Sequence, residues 1–234
     1  QESDAEMLNR KGQRRGDAPV EPLYGINDAL DALKQFSPVP YDQELRLSDN
    51  LRVFFRDVGH ILGSAILEIY VKENGKETKL VFSGDLGQPG QPILRDPTVI
   101  HGADFVITES TYGDRLHQLY DKETALIEIV NETMDRGGNL IIPSFAVGRT
   151  QTLLYYFFRL HREGRLDPDI PIIIDSPLAI NATRVFLKNF RDFDEDALKV
   201  FGKNGKVPDF PQVRLCETAA ESRALNSSEG SAII

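Results

Sequence analysis

Three polar residues stand just past the ends of apolar, strand-like runs. His60 follows "FRDVG" and opens a turn of small residues, "HILGSA". Asp85 closes "VFSGD", and Glu109 lies at the end of "DFVITES". Imidazole and carboxylate are borderline-to-hard donors that suit zinc or manganese. If the three strands end at one edge of one sheet, the residues converge although they are far apart in the chain. An aspartate between two ions can bridge them, and ions roughly 3.5–4 Å apart clamp the attacking and leaving oxygens of a phosphodiester. Each residue also has a plain structural use. His60 alone can be a hydrogen-bonded turn residue, Asp85 in "SGDLG" a turn former using its own backbone, and Glu109 a solvated strand end. Spacing by itself leaves both readings open.

Other candidates follow the same pattern of two uses. "SFAVGRTQ" puts Gly148 and Arg149 at a helix start, where free N–H groups suit phosphate. Arg149 can add a bidentate contact or make an internal ion pair. His117 in "GDRLH" can approach a cleft and touch phosphate, or bond locally. Tyr112 and Phe145 can stack on bases or join the core. His161, at the charged end of a helix, reads as surface, and His101 as a loop residue.

These residues need elements to position them. Residues 1–23 are charged and turn-rich and read as loop. "NDALDALKQF" spaces Leu30, Leu33 and Phe36 as one helical face, and "SPVPY" ends it. "LRVFFRDV" reads as a strand, and "SAILEIYV" alternates apolar residues. Asn74-Gly75 is a hairpin turn signal, with "TKLVFSGD" returning. Beyond Glu109 the texture changes. "KETALIEIVNETMDRGG" is an amphipathic helix closed by Gly137-Gly138, and "NLIIPSF" reads as a buried strand. Helices over "GRTQTLLYYFFRLHREG", "LAINATRVFLKNF", "DEDALKVFG" and "AAESRALN" alternate with strands over "PIIID", "QVRLC" and "GSAII". That alternation implies βαβ units and a mostly parallel sheet.

The totals bound the class. At 234 residues, 41% hydrophobic and 27% charged, the chain can bury a sizeable core. With 27 basic and 36 acidic residues the formal charge is −9. A bulk basic surface is excluded, so contact with nucleic acid would need a local patch or metal ions. Cys216 is the single cysteine, which excludes an intrachain disulfide and a Cys-rich zinc motif and fits a reducing, cytoplasmic setting. No apolar run reaches the about 18 residues of a membrane span, so no membrane partner is expected. The chain opens on Gln1 and closes on "GSAII", which reads as an interior piece of a longer protein.

"DVGHILGSA", "VFSGDLG", "FVITESTYGDR", "IIPSFAVGRTQTLLYYF" and "IDSPLA" occur in that order. Together they resemble the β-CASP branch of the metallo-β-lactamase superfamily, zinc-dependent nucleases acting mainly on RNA. The resemblance implies an α/β fold: part of a metallo-β-lactamase αββα sandwich over 1–113, then a mostly parallel β-CASP segment over 114–234. It implies that His60 is a zinc ligand, that Asp85 is a bridging ligand, and that Glu109 orients a neighbouring catalytic histidine or ligand. Ser176, in a loop that faces the family's cleft, either contacts RNA backbone or caps the next helix. The H-x-H-x-D-H signature of the superfamily is absent, since His60, His101, His117 and His161 are the only histidines. The expectation is a segment of a zinc-dependent hydrolase of single-stranded RNA, inactive by itself, with two zincs in the intact protein and an incomplete site here. Alternatives are a catalytically dead scaffolding member, or a DNA-acting or small-molecule hydrolase of the same fold. Exposed sheet edges make a homodimer possible.

Overall fold

The computed structural model describes residues 1–13, 15–116, 120–201, 210–227 and 230–234. It separates into two units, Gln1–Pro40 and Tyr41–Ile234. In the first, α1 spans Glu2–Gln13 and α2 spans Ile26–Leu33. The loop expected over 1–23 is therefore wrong for its first half. Glu2 and Asp4 sit in the first turn of α1 and Arg10 and Lys11 in the last, a charge order that complements the helix dipole. Arg10 also pairs with Glu6 one turn back. These signals are electrostatic, so a search for apolar periodicity passes over them. In α2, the Gly25 N–H donates to Asp28 Oδ2 at 2.8 Å.

The second unit opens with a five-stranded sheet in the order β1-β2-β3-β4-β5. The strands are β1 (Glu44–Ser48), β2 (Leu51–Asp57), β3 (Ala65–Glu73), β4 (Lys76–Phe82) and β5 (Phe105–Ile107). β1 was not expected; it is a short edge strand in which Leu45 and Leu47 alternate with polar residues. Neighbours from β1 to β4 are antiparallel. Asn74 and Gly75 join β3 to β4 with φ of 50° and 78°, the paired left-handed conformation of a tight hairpin turn. β5 adds in parallel to β4. The register sets Asp57 opposite Ala65, Leu67 opposite Phe82, and Phe82 opposite Ile107. β2, β4 and β5 therefore all finish at one end of the sheet.

Val58, Ile66 and Val81 form a small buried cluster with Ile100 against it. Glu68, only 5% exposed, sits between Arg56 Nε at 2.5 Å and Lys79 Nζ at 2.6 Å. Arg56 also reaches Asp42 at 2.8 Å. Burial works to raise the Glu68 pKa, but hydrogen bonds and charge from Lys79 and Arg56 outweigh it and hold the carboxyl below its ordinary range.

The remainder is a helical and parallel-strand layer. It comprises α3 (Lys122–Asp135), α4 (Arg149–Arg162), β6 (Ile172–Ile174), α5 (Pro177–Lys188), α6 (Glu195–Phe201), β7 (Val213–Leu215) and α7 (Ala219–Leu225). β6 pairs with β7 in parallel, and parallel bridges join Ile172 and Leu140 to Ile233. The α/β class and the parallel pairing match the sequence reading. Over the expected strand "NLIIPSF" the backbone pairs in parallel with the chain end, the Leu140 N–H donating to Ala232 O and the Ile142 N–H to Ile234 O, both at 2.8 Å. Leu140 and Ile142 pack on a buried cluster, while Ile141 and Phe145 are exposed, so the segment is only half-buried. Two buried clusters hold the layer. Ile127, Val130, Phe157, Leu160, Leu166, Ile172 and Ile233 form one. Ile93, Tyr155, Phe186, Phe193 and Ala197 form the other.

The Glu68 cluster gives a test. Glu68→Gln is expected to lower stability by about 1–3 kcal/mol near neutral pH, measured as a lower urea midpoint. A depressed folded pKa means the carboxylate stabilises above its unfolded value and stops doing so as pH falls through the folded value. The gap between variant and parent should therefore close in acid.

Candidate functional site

The end of β2 leads through Val58, fully buried, to Gly59 at φ +62°. Asp57 Oδ1 accepts the Gly59 N–H at 2.9 Å, and burial pushes the Asp57 carboxyl above its ordinary range, with that bond and Arg95 opposing. A Cβ on Gly59 would lie 2.4 Å from the Arg95 carbonyl oxygen, so only glycine fits. The end of β4 leads through Gly84 to Asp85, Leu86 and Gly87. The Gly87 N–H donates to Val58 O at 3.0 Å, and a Cβ on Gly87 would lie 2.0 Å from Gly59 O. The two loops thus pack backbone on backbone, and His60 and Asp85 emerge side by side. His60 Nε2 lies 3.8 Å from Asp85 Oδ2, with both side chains partly open to solvent.

Glu109 ties the third strand to the same place. Its Oε1 accepts the Leu86 N–H at 2.8 Å, beside Asp85, and its own N–H donates to Ser83 Oγ at 3.2 Å. The Thr111 side chain, then the Leu86 N–H and more weakly the charge of His60, hold this carboxyl below its ordinary range. Glu109 therefore stays ionised and anchors the loop that carries Asp85.

Zinc–nitrogen and zinc–oxygen bonds are about 2.0–2.2 Å, so a 3.8 Å gap lets one ion touch both His60 and Asp85. A site needs more. No group of three or more His, Cys, Asp or Glu is placed to hold a metal among the described residues, whereas even an open catalytic zinc keeps about three protein ligands. These residues do not by themselves complete a metal centre.

The start of α4 approaches this edge. A Cβ on Gly148 would touch Ile61 Cγ2 at 3.4 Å. Gln151, 4% exposed, accepts the Gly148 N–H at 2.7 Å and donates to Ala146 O and Thr183 Oγ1. Its place three residues into the helix is the readable signal for this role, and sequence reading missed it. Arg149 is exposed and makes no ion pair among the described residues.

The other sequence candidates are scattered. Ser176 Oγ accepts the Ala179 N–H at 3.2 Å and caps α5. It also lines a cavity of about 290 Å³ with Ser144, Thr150 and Asp175, to which neither His60 nor Asp85 contributes. His117 lies outside the described residues. His101 is exposed, and its carbonyl accepts a hydrogen bond from Lys79 Nζ at 3.0 Å. His161 is not a plain surface residue, since its half-buried ring lies 5.4 Å from that of Phe210. Tyr112 and Phe145 are exposed rather than core.

Residues 150–234 match the Beta-Casp domain. Over 217 residues the chain is 37% identical to "Ribonuclease TTHA0252" of Thermus thermophilus, which covers 92% of this chain and 48% of that protein. It is 33% identical over 195 residues to an "RNase J-like protein" of Methanocaldococcus jannaschii, covering 79% and 45%. It is 31% identical over 181 residues to "Transcription termination factor FttA" of Methanosarcina mazei, covering 75% and 28%. The chain spans about half the length of the first two relatives.

The loop packing can be tested apart from any activity. Gly87→Ala forces a Cβ into backbone that cannot give way, so it should cost about 1–3 kcal/mol or more and widen the His60–Asp85 gap in a crystal structure. Gly63→Ala meets open space at φ +87°. It should cost about 1–2 kcal/mol for the left-handed backbone alone and leave the gap unchanged.

Proposed function

This chain belongs to the β-CASP branch of the metallo-β-lactamase superfamily, and from that premise we propose that it is a segment of a zinc-dependent ribonuclease that hydrolyses RNA phosphodiester bonds. His60 and Asp85 are proposed zinc donors, and Glu109 is the acid that fixes the Asp85 loop. Residues 1–113 and 114–234 are the proposed metallo-β-lactamase and β-CASP parts. The observation that carries the reading is the approach of His60 to Asp85 at 3.8 Å on interlocked glycine loops. Imidazole plus carboxylate is a donor chemistry suited to zinc. Relatives named as ribonucleases supply the substrate class.

Arg149 supports an RNA contact. It is an exposed cation at the first residue of α4, where free backbone N–H groups add to its charge. A local cation of this kind also answers the −9 formal charge, which would otherwise repel a polyanion. Ser176 and His117 remain proposed substrate contacts, Ser176 alongside its capping role. The proposed setting is the cytoplasm, in keeping with one buried thiol. A homodimer through β5 belongs to the same proposal, supported by the exposure of Phe105, Val106 and Ile107.

The test uses the full-length protein. Losing a group that only orients a ligand typically costs about 10–100-fold, so Glu109→Gln should fall in that range. His60→Ala and Asp85→Asn should lose more, and zinc retention should fall together with RNA cleavage. Unchanged cleavage in His60→Ala would remove this histidine from the site. Cleavage of DNA or of a small ester in preference to RNA would favour the other hydrolases of this fold. Arg149→Ala should weaken RNA binding and reduce the salt slope by about 1, while the rate at saturating RNA holds.

A further inference from the structure

The loop between β4 and β5 is tied at one end to the site and at its middle to the helical layer. Its Gly87 interlocks with Gly59 directly behind His60. Its Arg95 carbonyl fills the space where a Gly59 side chain would be, and the Thr98 N–H donates to Asp57 O at 2.9 Å. Between these points Ile93 enters the cluster of Tyr155, Phe186, Phe193 and Ala197, with 2% of its surface exposed. Ile93 O accepts the Asp194 N–H at 2.8 Å. Leu94 bridges to Phe193, and Arg95 donates to Arg191 O at 2.6 Å.

Ile93 holds φ +77°. A β-branched residue adopts that conformation only where its surroundings over-determine it. Here burial on one side and two anchored neighbours supply that determination. The His60 turn touches the same layer independently: Leu62 packs against the Ile93 cluster, and Ile61 meets the start of α4 at Gly148.

We propose that Ile93 is a positioning residue, a strut that sets His60 and Asp85 relative to the N-terminus of α4. Sheet register brings His60 and Asp85 to one edge, but register says nothing about α4 and Arg149. The only long segment that grips both the His60 turn and the α4–α6 cluster among the described residues is 87–98. Through it, a displacement of the helical layer becomes a displacement of the loop behind His60. The inference rests on His60 and Asp85 being the site, but its test reads ring environment, so it stands or falls apart from zinc binding and RNA cleavage.

The experiment is NMR on this chain with isotope-labelled histidine, the His60 signals being assigned by His60→Gln. Ile93→Ala is expected to shift the His60 ring resonances, and Ile93→Val, which keeps the branched plug, to restore most of the parent position. Ile127→Ala is the control: it hollows the other cluster of the same layer and should leave His60 unmoved. Unmoved His60 resonances in Ile93→Ala would overturn the proposal. Equal shifts in Ile93→Ala and Ile127→Ala would overturn it as well, since general loosening would then be the cause. If Ile93→Ala does not fold, Arg95→Lys loosens the Arg191 anchor while keeping the positive charge that acts on Asp57. It should shift His60 in the same sense by a smaller amount, and no shift there overturns the strut.

Discussion

The contact of Gly59 with Gly87 is made by backbone alone, and the candidate site depends on it. The Gly59 carbonyl occupies the volume that any Gly87 side chain would need, while Gly87 donates its N–H to Val58 O. A side chain at Gly87 would push against the Gly59 carbonyl, and one at Gly59 against the Arg95 carbonyl and Pro97 farther along the same loop, so either would hold the loops apart. At that spacing His60 and Asp85 could not share one ion. The hydrogen bond also satisfies the carbonyl of the fully buried Val58, where an unpaired group would be costly. Loop ends that would otherwise be mobile are thereby fixed on a rigid sheet, the arrangement that gives a donor pair its geometry.

Charge is distributed to different ends on the two faces of this region. Glu68 is buried between two cations and serves the sheet. Asp85 and His60 are left partly open to solvent, without an ion pair to a lysine or arginine among the described residues. Glu109 lies between these extremes: it is ionised and spends its oxygens on the Leu86 and Thr111 N–H groups. Arg149 at the start of α4 is likewise unpaired among the described residues. Elsewhere in the second unit some charges are matched, as at Arg159 with Glu123 and Arg184 with Glu217, while others, such as Lys72 and Arg214, make no ion pair among the described residues. Uncommitted polar groups at a strand edge are what binding requires and what stability alone would not retain.

The helical layer enters this picture through packing rather than charge. Ile61 and Leu62 flank the site histidine on its C-terminal side, and both lean on residues of that layer. Gln151 fastens the α4 start to α5 through Thr183. The donors and the helix terminus are thus joined by apolar contacts, half-buried at Leu62 and exposed at Ile61, and by short hydrogen bonds around the buried Gln151.

Local signals in the sequence determined a good part of this protein. Strand-like apolar runs marked β2 to β4, with clear alternation in β3; Asn74-Gly75 marked the β3–β4 turn, amphipathic spacing marked α3, and the alternation of helices and strands marked the parallel layer. His60, Asp85 and Glu109 were legible as polar residues at strand ends. Where the signal was not apolar periodicity, reading failed: α1 is marked by charge order and β1 by only two leucines, while "NLIIPSF" pairs as expected but is only half-buried. Tertiary structure alone decided the 3.8 Å approach, the anchoring of the Asp85 loop by Glu109, the place of Gln151 and the burial of Ile93. The reason is physical. Local conformation is set by residues a few positions apart and leaves a periodic trace. The separation of two loops is set by register and by which Cβ atoms are missing where backbones meet, and a glycine in a sequence does not say what it will lie against.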